Sequence, residues 1–362
     1  MNLRFAGKRI TGLLTVLPAY ERLFVDEMAN YNFSPARSLK LKAVMGYDRR
    51  RIVDGPVCVS DLAVAGFEHL FARGHLAPSD IGALVVVTQS PDYLMPGTAS
   101  VIHGRLGLGH DVFCLDINQG CAGFVIGLMQ AFMLLEQPAI TKVALVNGDV
   151  LSRKVSPRDR NSYPLIGDGA AITIVERDPT AGVIHASLKM DGSRGGALTI
   201  PAGGLRQPCS AETTAMHEDA EGNVRAADHL VMDGSAVFNF VMTEVPALVD
   251  ALLRDTGTSV DAVDAFLFHQ PNRFMLHKLA EKLGIPYEKM PSNVVEHYGN
   301  SSGVTIPVAT ASNFAERLRR ETLTVCFGGF GVGLTWSALL MPLGPLEFCE
   351  MIDFPSQGAD HG

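Results

Sequence analysis

The chain has 362 residues, 47% of them hydrophobic, with 30 Lys and Arg against 38 Asp and Glu and a net charge of −8. That length and apolar content supply a large core, as one big domain or two fused ones, and the acidic balance argues against nucleic-acid binding through a basic stripe. The six cysteines (58, 114, 121, 209, 326 and 349) form no CxxC pair, and no secretory signal opens the chain. The pattern fits a cytoplasmic protein with reduced thiols better than a disulfide framework or a zinc site.

In chain order, Gly-punctuated apolar strands alternate with helix-length amphipathic segments, which predicts an α/β architecture. The basic run Arg49-Arg50-Arg51 comes first and reads as a solvated face, or as a landing site for phosphate or an acidic carrier protein. Leu84–Thr88, Val112–Asp116 and Lys142–Val146 are predicted as buried strands, with helices over Thr98–Leu106 and Ala122–Leu135 between them. Gly167-Asp168-Gly169 predicts a tight turn into another buried strand that runs to Val175. Cys58, Cys114 and Cys326 fall in apolar contexts and read as small core residues. The apolar runs are strand length and short of a membrane span, so a soluble protein is expected.

Residues 201–232, rich in Pro, Gly, Ala and charge, read as a long excursion or lid. The second half then repeats the order of the first. Ala265–His269 corresponds to the strand at Leu84–Thr88, and Asn272 is expected to cap a helix that runs to Leu283. Asn293–Asn300 stands where Asp116–Cys121 stood, a helix follows over Ser301–Leu318, and strands at Leu323–Cys326 and Gly333–Leu340 close the sheet. The chain therefore divides into halves over 1–178 and 179–345, each a βαβαβ unit, and a loose tail over 346–362 that ends in Gln357-Gly-Ala-Asp-His-Gly362.

Three polar islands carry the chemistry. Asp116-Ile-Asn-Gln-Gly-Cys-Ala-Gly-Phe124 places Cys121 at a helix start, where the positive end of the dipole is expected to favour a nucleophilic thiolate. Phe268-His-Gln-Pro-Asn272 puts His269 at the carboxyl end of a strand, and His297-Tyr-Gly-Asn-Ser-Ser302 puts Asn300 at the second helix start. The duplication lets the three converge between the halves, as a Cys-His-Asn acyl-transfer site. Cys121 would take an acyl group from a thioester, with His269 and Asn300 as its polar partners. No histidine pair has a carboxylate at ligand spacing, and no metal is expected.

Gly-Cys-Ala-Gly-Phe, His-Gln-Pro-Asn and Gly-Asn-Ser-Ser resemble the three signature motifs of the β-ketoacyl-acyl-carrier-protein (ACP) synthase III family. So do their spacings, with 148 residues from Cys121 to His269 and 31 more to Asn300. Phe-Gly-Val-Gly-Leu-Thr-Trp336 resembles that family's closing glycine-rich turn, and Asp159-Arg160 its CoA-contacting stretch. The resemblance spans roughly residues 8 to 342. It implies a thiolase fold, a layered α-β-α-β-α architecture of two pseudo-repeated halves, and a homodimer. It implies decarboxylative condensation of an acyl thioester with malonyl-ACP or malonyl-CoA in fatty acid and lipid metabolism. CoA and phosphopantetheine thioesters are then substrates, and no cofactor is called for.

By the same resemblance, Cys121 is the nucleophile and His269 and Asn300 assist decarboxylation. The backbone amides of Cys121 and Val332 form the oxyanion hole. Arg160, Asn272 and Met95 contact substrate, Met95 through the Tyr93–Pro96 segment that floors the partner's acyl tunnel. The chain also departs from the housekeeping pattern. Lys40–Arg49 lacks the aromatic and arginine that sandwich the CoA adenine, Phe274 stands where relatives have an arginine after the histidine motif, and 201–232 is long. These departures point to a specialised member. Two rival readings are an acyltransferase that passes the group to an alcohol or amine, with His269 as base, and a non-condensing partner subunit of the same fold.

Overall fold

The computed structural model describes residues 1–356, so the closing Gln357–Gly362 segment lies outside the described residues. Eleven strands build two sheets: β1 (Asn2–Phe5), β2 (Lys8–Pro18), β3 (Ala83–Val87), β4 (Phe113–Ile117), β5 (Lys142–Asp149), β6 (Gly169–Arg177), β7 (Ile184–Met190), β8 (Ala265–Phe268), β9 (Leu323–Gly331), β10 (Thr335–Leu343) and β11 (Phe348–Phe354). Seven longer helices accompany them: α1 (Pro35–Met45), α2 (Val59–Ala72), α3 (Thr98–Leu106), α4 (Gly123–Leu134), α5 (Gly234–Thr256), α6 (Arg273–Leu283) and α7 (Thr305–Leu318).

The six-stranded sheet has the order β11-β2-β6-β5-β3-β4 and the five-stranded sheet the order β1-β7-β10-β9-β8. Helices α4 and α7 lie between them. Phe124, Leu128 and Phe132 of α4 and Ile306, Phe314 and Leu318 of α7 share one core with strand residues of both sheets. Helices α2 and α3 cover the outer face of the first sheet, and α5 and α6 that of the second. The result is the α-β-α-β-α layering of the thiolase fold.

Each element follows from its residues. Strands β3 and β5, covered by helices on both faces, read as continuous Val/Leu/Ala runs with no exposed side. Helix α6 begins as the sequence leads one to expect: the Asn272 side chain accepts a hydrogen bond from Met275 N at 2.9 Å and Gly284 ends the helix in a left-handed conformation. Helix α5 is long and apolar enough, by length and composition, to cross a membrane. Half of it is buried, though, and Val237, Phe240, Val241 and Leu248 pack into the core under the second sheet.

Several expectations are corrected. The loose tail is not loose over 348–354: β11 pairs in parallel with β2, from Phe348 opposite Gly12 to Phe354 opposite Pro18. Phe348 and Cys349 are buried on its opposite faces, and Asp353 is exposed. The chain ends exchange sheets, with β1 on the second-half sheet and β11 on the first. At Asn293–Asn300, the segment matched to Asp116–Cys121, the chain makes a short helix at Val294–His297. Strand β4 is an edge, not buried, and Phe113 is 46% exposed. Cys326 is buried, whereas Cys58 and Cys114 are only partly so.

The Arg49–Arg51 run is a solvated face only at Arg49, which is exposed. Buried Arg50 forks onto Glu27 at 2.8 to 3.2 Å, donates to Ile166 O and lies over the Tyr163 ring. Arg51 bonds Pro18 O and Asp353, and Arg49 pairs with Glu21. Arg50 and Arg51, held in this way, are not free to receive a phosphate or a carrier.

Candidate active site

A cavity of about 740 Å³ opens between the two halves and is lined by Cys121, His269 and Asn300 together. Apolar side chains, Leu198, Met232, Val237, Phe238, Val241 and Phe274 among them, form one wall. Its outer part is charged and includes Arg160, Asp219, Glu221 and Arg225.

Cys121 sits just ahead of α4, whose N-cap is Ala122. The close approach of β9 explains its glycines. A Cβ on Gly331 would fall 2.6 Å from Cys121 Cβ and 2.8 Å from Sγ, a distance that no real side chain tolerates. Burial pushes the Cys121 thiol up to about 11; the Ser302 side chain and the amides of Val332 and Cys121 pull it down, and the nearby Asp149 charge pushes it further up. The helix-start thiolate is thus corrected. At neutral pH the group is a thiol, because desolvation outweighs the dipole.

His269 follows β8, its backbone N–H donating to Gly328 O at 2.7 Å. The ring is 2% exposed and meets Phe330 edge-on at 5.6 Å. Nδ1 lies 2.8 Å from Thr305 Oγ1 and 3.2 Å from Ser302 O. Burial depresses this imidazole to about 3, so it is neutral at pH 7.

Asn300 is fixed from both halves. Its N–H donates to Leu165 O at 2.8 Å, its C=O accepts from Gly167 N at 3.1 Å, and it forms a parallel bridge with Ile166. The Gly167-Asp-Gly169 turn therefore works as a buttress. Gly299 (φ +80) packs against it so closely that a Cβ would sit 2.8 Å from Gly167 Cα. The Asn300 carboxamide oxygen accepts from Ser302 N at 2.9 Å, which leaves the amide N–H₂ to the cavity.

Asn272 lines the cavity, though its oxygen is occupied as a helix cap. Arg160 lines it too but is held by the excursion, donating to Glu221 O at 2.8 Å and to Asn223 Oδ1 at 2.9 Å. The 201–232 segment is anchored there: Leu230 N donates to Lys154 O and Val224 N to Arg158 O. Met95 is 83% exposed, alongside Tyr93 and Leu94, and does not reach the cavity of its own chain.

Comparison with known proteins decides the family. Residues 115–192 match the 3-oxoacyl-[acyl-carrier-protein (ACP)] synthase III model, and residues 253–343 match its C-terminal model. The β-ketoacyl-ACP synthase III of a Synechocystis species is 33% identical over 94% of this chain and 99% of its own length. A Streptococcus mutans enzyme of the same name is 32% identical over 82% of this chain and 88% of its own. The solved 3-oxoacyl-(acyl-carrier protein) synthase from Burkholderia xenovorans superposes with a TM-score of 0.90, at 34% identity, over 98% of this chain and 99% of that one.

The chain belongs to the 3-oxoacyl-ACP synthase III family. It is an acyl-transferring condensing enzyme. A priming β-ketosynthase from the R1128 polyketide pathway, 23% identical, shares the fold with a TM-score of 0.78.

The chain carries further site residues that its sequence did not reveal. Phe33 lines the outer cavity with Arg160 stacked 4.5 Å from its ring centroid and Arg37 at 3.7 Å. An aromatic beside an arginine is therefore present seven residues upstream of Lys40–Arg49, where only the fold brings it to Arg160. Asp149 ends β5 as a buried carboxyl that accepts from Gln89 N at 2.8 Å, Ser90 Oγ at 3.0 Å and Thr88 Oγ1 at 3.3 Å. Burial pushes it up to about 6. The Ser302 hydroxyl, without a hydrogen bond of regular geometry, lies beside both Asp149 and the Cys121 thiol and lowers both. The single signal for Asp149 was a carboxylate at the end of an apolar strand.

Proposed function

We propose that the enzyme transfers an acyl group from a CoA or carrier thioester to Cys121 and condenses it with malonyl-ACP or malonyl-CoA, with loss of CO₂. In the first half-reaction the Cys121 sulfur bonds the acyl carbon and the carbon–sulfur bond to CoA breaks. The thiol proton passes to the departing sulfur. The carbonyl oxygen, negative in the tetrahedral intermediate, meets the amides of Cys121 and Val332.

In the second half-reaction the bond from malonyl C2 to its carboxylate breaks, and the electron pair moves to the thioester oxygen. His269 Nε2–H and Asn300 Nδ2–H hold that enolate. C2 then attacks the acyl carbonyl and the Cys121 thiolate leaves, to be reprotonated by water. A charged imidazole is not needed, which suits a ring held neutral by burial.

The observation that carries this reading is the convergence of Cys121, His269 and Asn300 on one cavity, with the Asn300 oxygen already occupied. The thioesters are substrates and no further cofactor is invoked. A homodimer is part of the proposal: edge strand β4 offers unpaired backbone groups, and Tyr93, Leu94, Met95 and Phe113 are exposed apolar side chains. Met95 would then meet the partner's cavity.

The test separates the half-reactions. Cys121→Ala abolishes the acyl mass gain seen when intact enzyme meets an acyl-CoA. Asn300→Ala slows CO₂ release from malonyl-ACP about 10²-fold or more while acylation continues. Equal loss in both half-reactions contradicts the division of roles, and an acylated enzyme that releases no CO₂ from malonyl-ACP favours simple transfer to an alcohol or amine.

A further inference from the structure

We propose that Thr305, at the first position of α7, is a positioning residue whose hydroxyl proton decides which nitrogen of His269 carries hydrogen. The inference rests on the condensing reading above and concerns how its histidine is kept in the donor form.

The neighbourhood of Nδ1 is fully buried and contains two oxygen atoms. Thr305 Oγ1 lies 2.8 Å away and Ser302 O 3.2 Å away. Thr305 itself is 0% exposed. Its oxygen accepts the Gln270 backbone N–H at 3.2 Å, and it lies 2.8 Å from Ser302 O. The hydroxyl has one proton and two places to put it.

If that proton goes to Ser302 O, Thr305 Oγ1 must accept from Nδ1–H. The neutral ring then presents a bare Nε2 to the cavity, a base and not a donor. If it goes to Nδ1, the ring nitrogen facing the cavity is Nε2–H. Ser302 O does not need the hydroxyl, because the Thr305 backbone N–H already donates to it. Among the described residues, Nδ1 by contrast has no hydrogen-bond partner beyond those two oxygens, and a carbonyl can only accept.

Chemistry selects between the two arrangements. An enolate oxygen requires a donor, and the imidazole is neutral, so Nε2–H demands a bare Nδ1 and therefore the Thr305 proton. The opposite orientation is the one that transfer to an alcohol or amine would use, since that reaction needs a base. One hydroxyl thus separates the two activities open to this triad.

The experiment uses the intact enzyme labelled with ¹⁵N-histidine, and long-range ¹⁵N–¹H correlation spectra with His269→Asn to assign the signal. Wild type is expected to show Nδ1 as the unprotonated nitrogen and Nε2 as the protonated one. Thr305→Val leaves Ser302 O as the partner, so the tautomer inverts. Malonyl-ACP decarboxylation falls about 10²-fold, and acyl transfer from acyl-CoA to Cys121 stays near wild type. Thr305→Ser restores both tautomer and decarboxylation.

A wild-type ring with Nδ1–H overturns the proposal, and this measurement needs no variant to fold. Retention of Nε2–H and of decarboxylation in Thr305→Val overturns it as well, as does a Thr305→Ser enzyme as impaired as the valine variant. If wild type shows Nε2–H yet releases no CO₂ from malonyl-ACP, the condensing reading fails while the tautomer assignment stands.

Discussion

Asp149 offers a test in which the sign as well as the size can be worked out. Its carboxyl is 2% exposed and is raised by burial from 3.8 to about 6. A folded-state value above the unfolded one means that the fold binds the proton more tightly than the unfolded chain does. The stability this contributes is fully present below about pH 3.8 and is lost as pH rises through about 6. At about 1.4 kcal/mol per pH unit, the full loss is about 3 kcal/mol.

Asp149→Asn removes the titration and keeps the shape. Its amide oxygen accepts the same bonds from Gln89 N, Ser90 Oγ and Thr88 Oγ1. In urea unfolding at fixed protein concentration, the stability of the variant minus that of wild type should grow by about 2 kcal/mol between pH 4.5 and 7.5. A second readout is independent of stability. Since the Asp149 charge raises the Cys121 thiol, the variant should be alkylated faster by iodoacetamide at pH 8. A stability difference that does not change with pH, together with an unchanged alkylation rate, refutes the reasoning.

Three further outcomes are expected. With the Cys121 thiol near 11, about one molecule in a thousand carries the thiolate at pH 8, so alkylation should climb about tenfold per pH unit from 7.5 to 10; a plateau near pH 7 would show an ionised sulfur. Gly331→Ala places a methyl 2.8 Å from Cys121 Sγ and should abolish acyl-enzyme formation, read by intact mass, with a circular dichroism spectrum like that of wild type. Phe348→Ala should cost about 3–5 kcal/mol in urea unfolding, because the buried ring covers Gly12 and stacks on His75 at 4.8 Å; a loss below about 1 kcal/mol would mean that the β11 strand is dispensable.

The sequence by itself determined the α/β alternation, the duplicated order of elements and the three polar islands. Each is a local signal: apolar runs bounded by glycine, an Asn that caps its own helix, and a Cys, His or Asn at the end of an element. It also singled out Cys121, His269 and Asn300, which the fold brings to one cavity. What it did not determine depends on neighbours far away in the chain. Whether Cys121 is ionised is a contest between a helix dipole, which the local sequence reveals, and desolvation by Gly331 and the packed cavity, which it does not. The arginine run looked free because its partners Glu27, Ile166 and Asp353 lie up to 302 residues away. Phe33 and Arg160 meet only in the folded chain, β11 finds β2 across nearly the whole chain, and His269 Nδ1 meets a threonine 36 residues further on. Hydrophobic period and turn chemistry act over a few residues and survive in one dimension, whereas burial, charge pairing and tautomer are properties of a packed volume that only the tertiary structure creates.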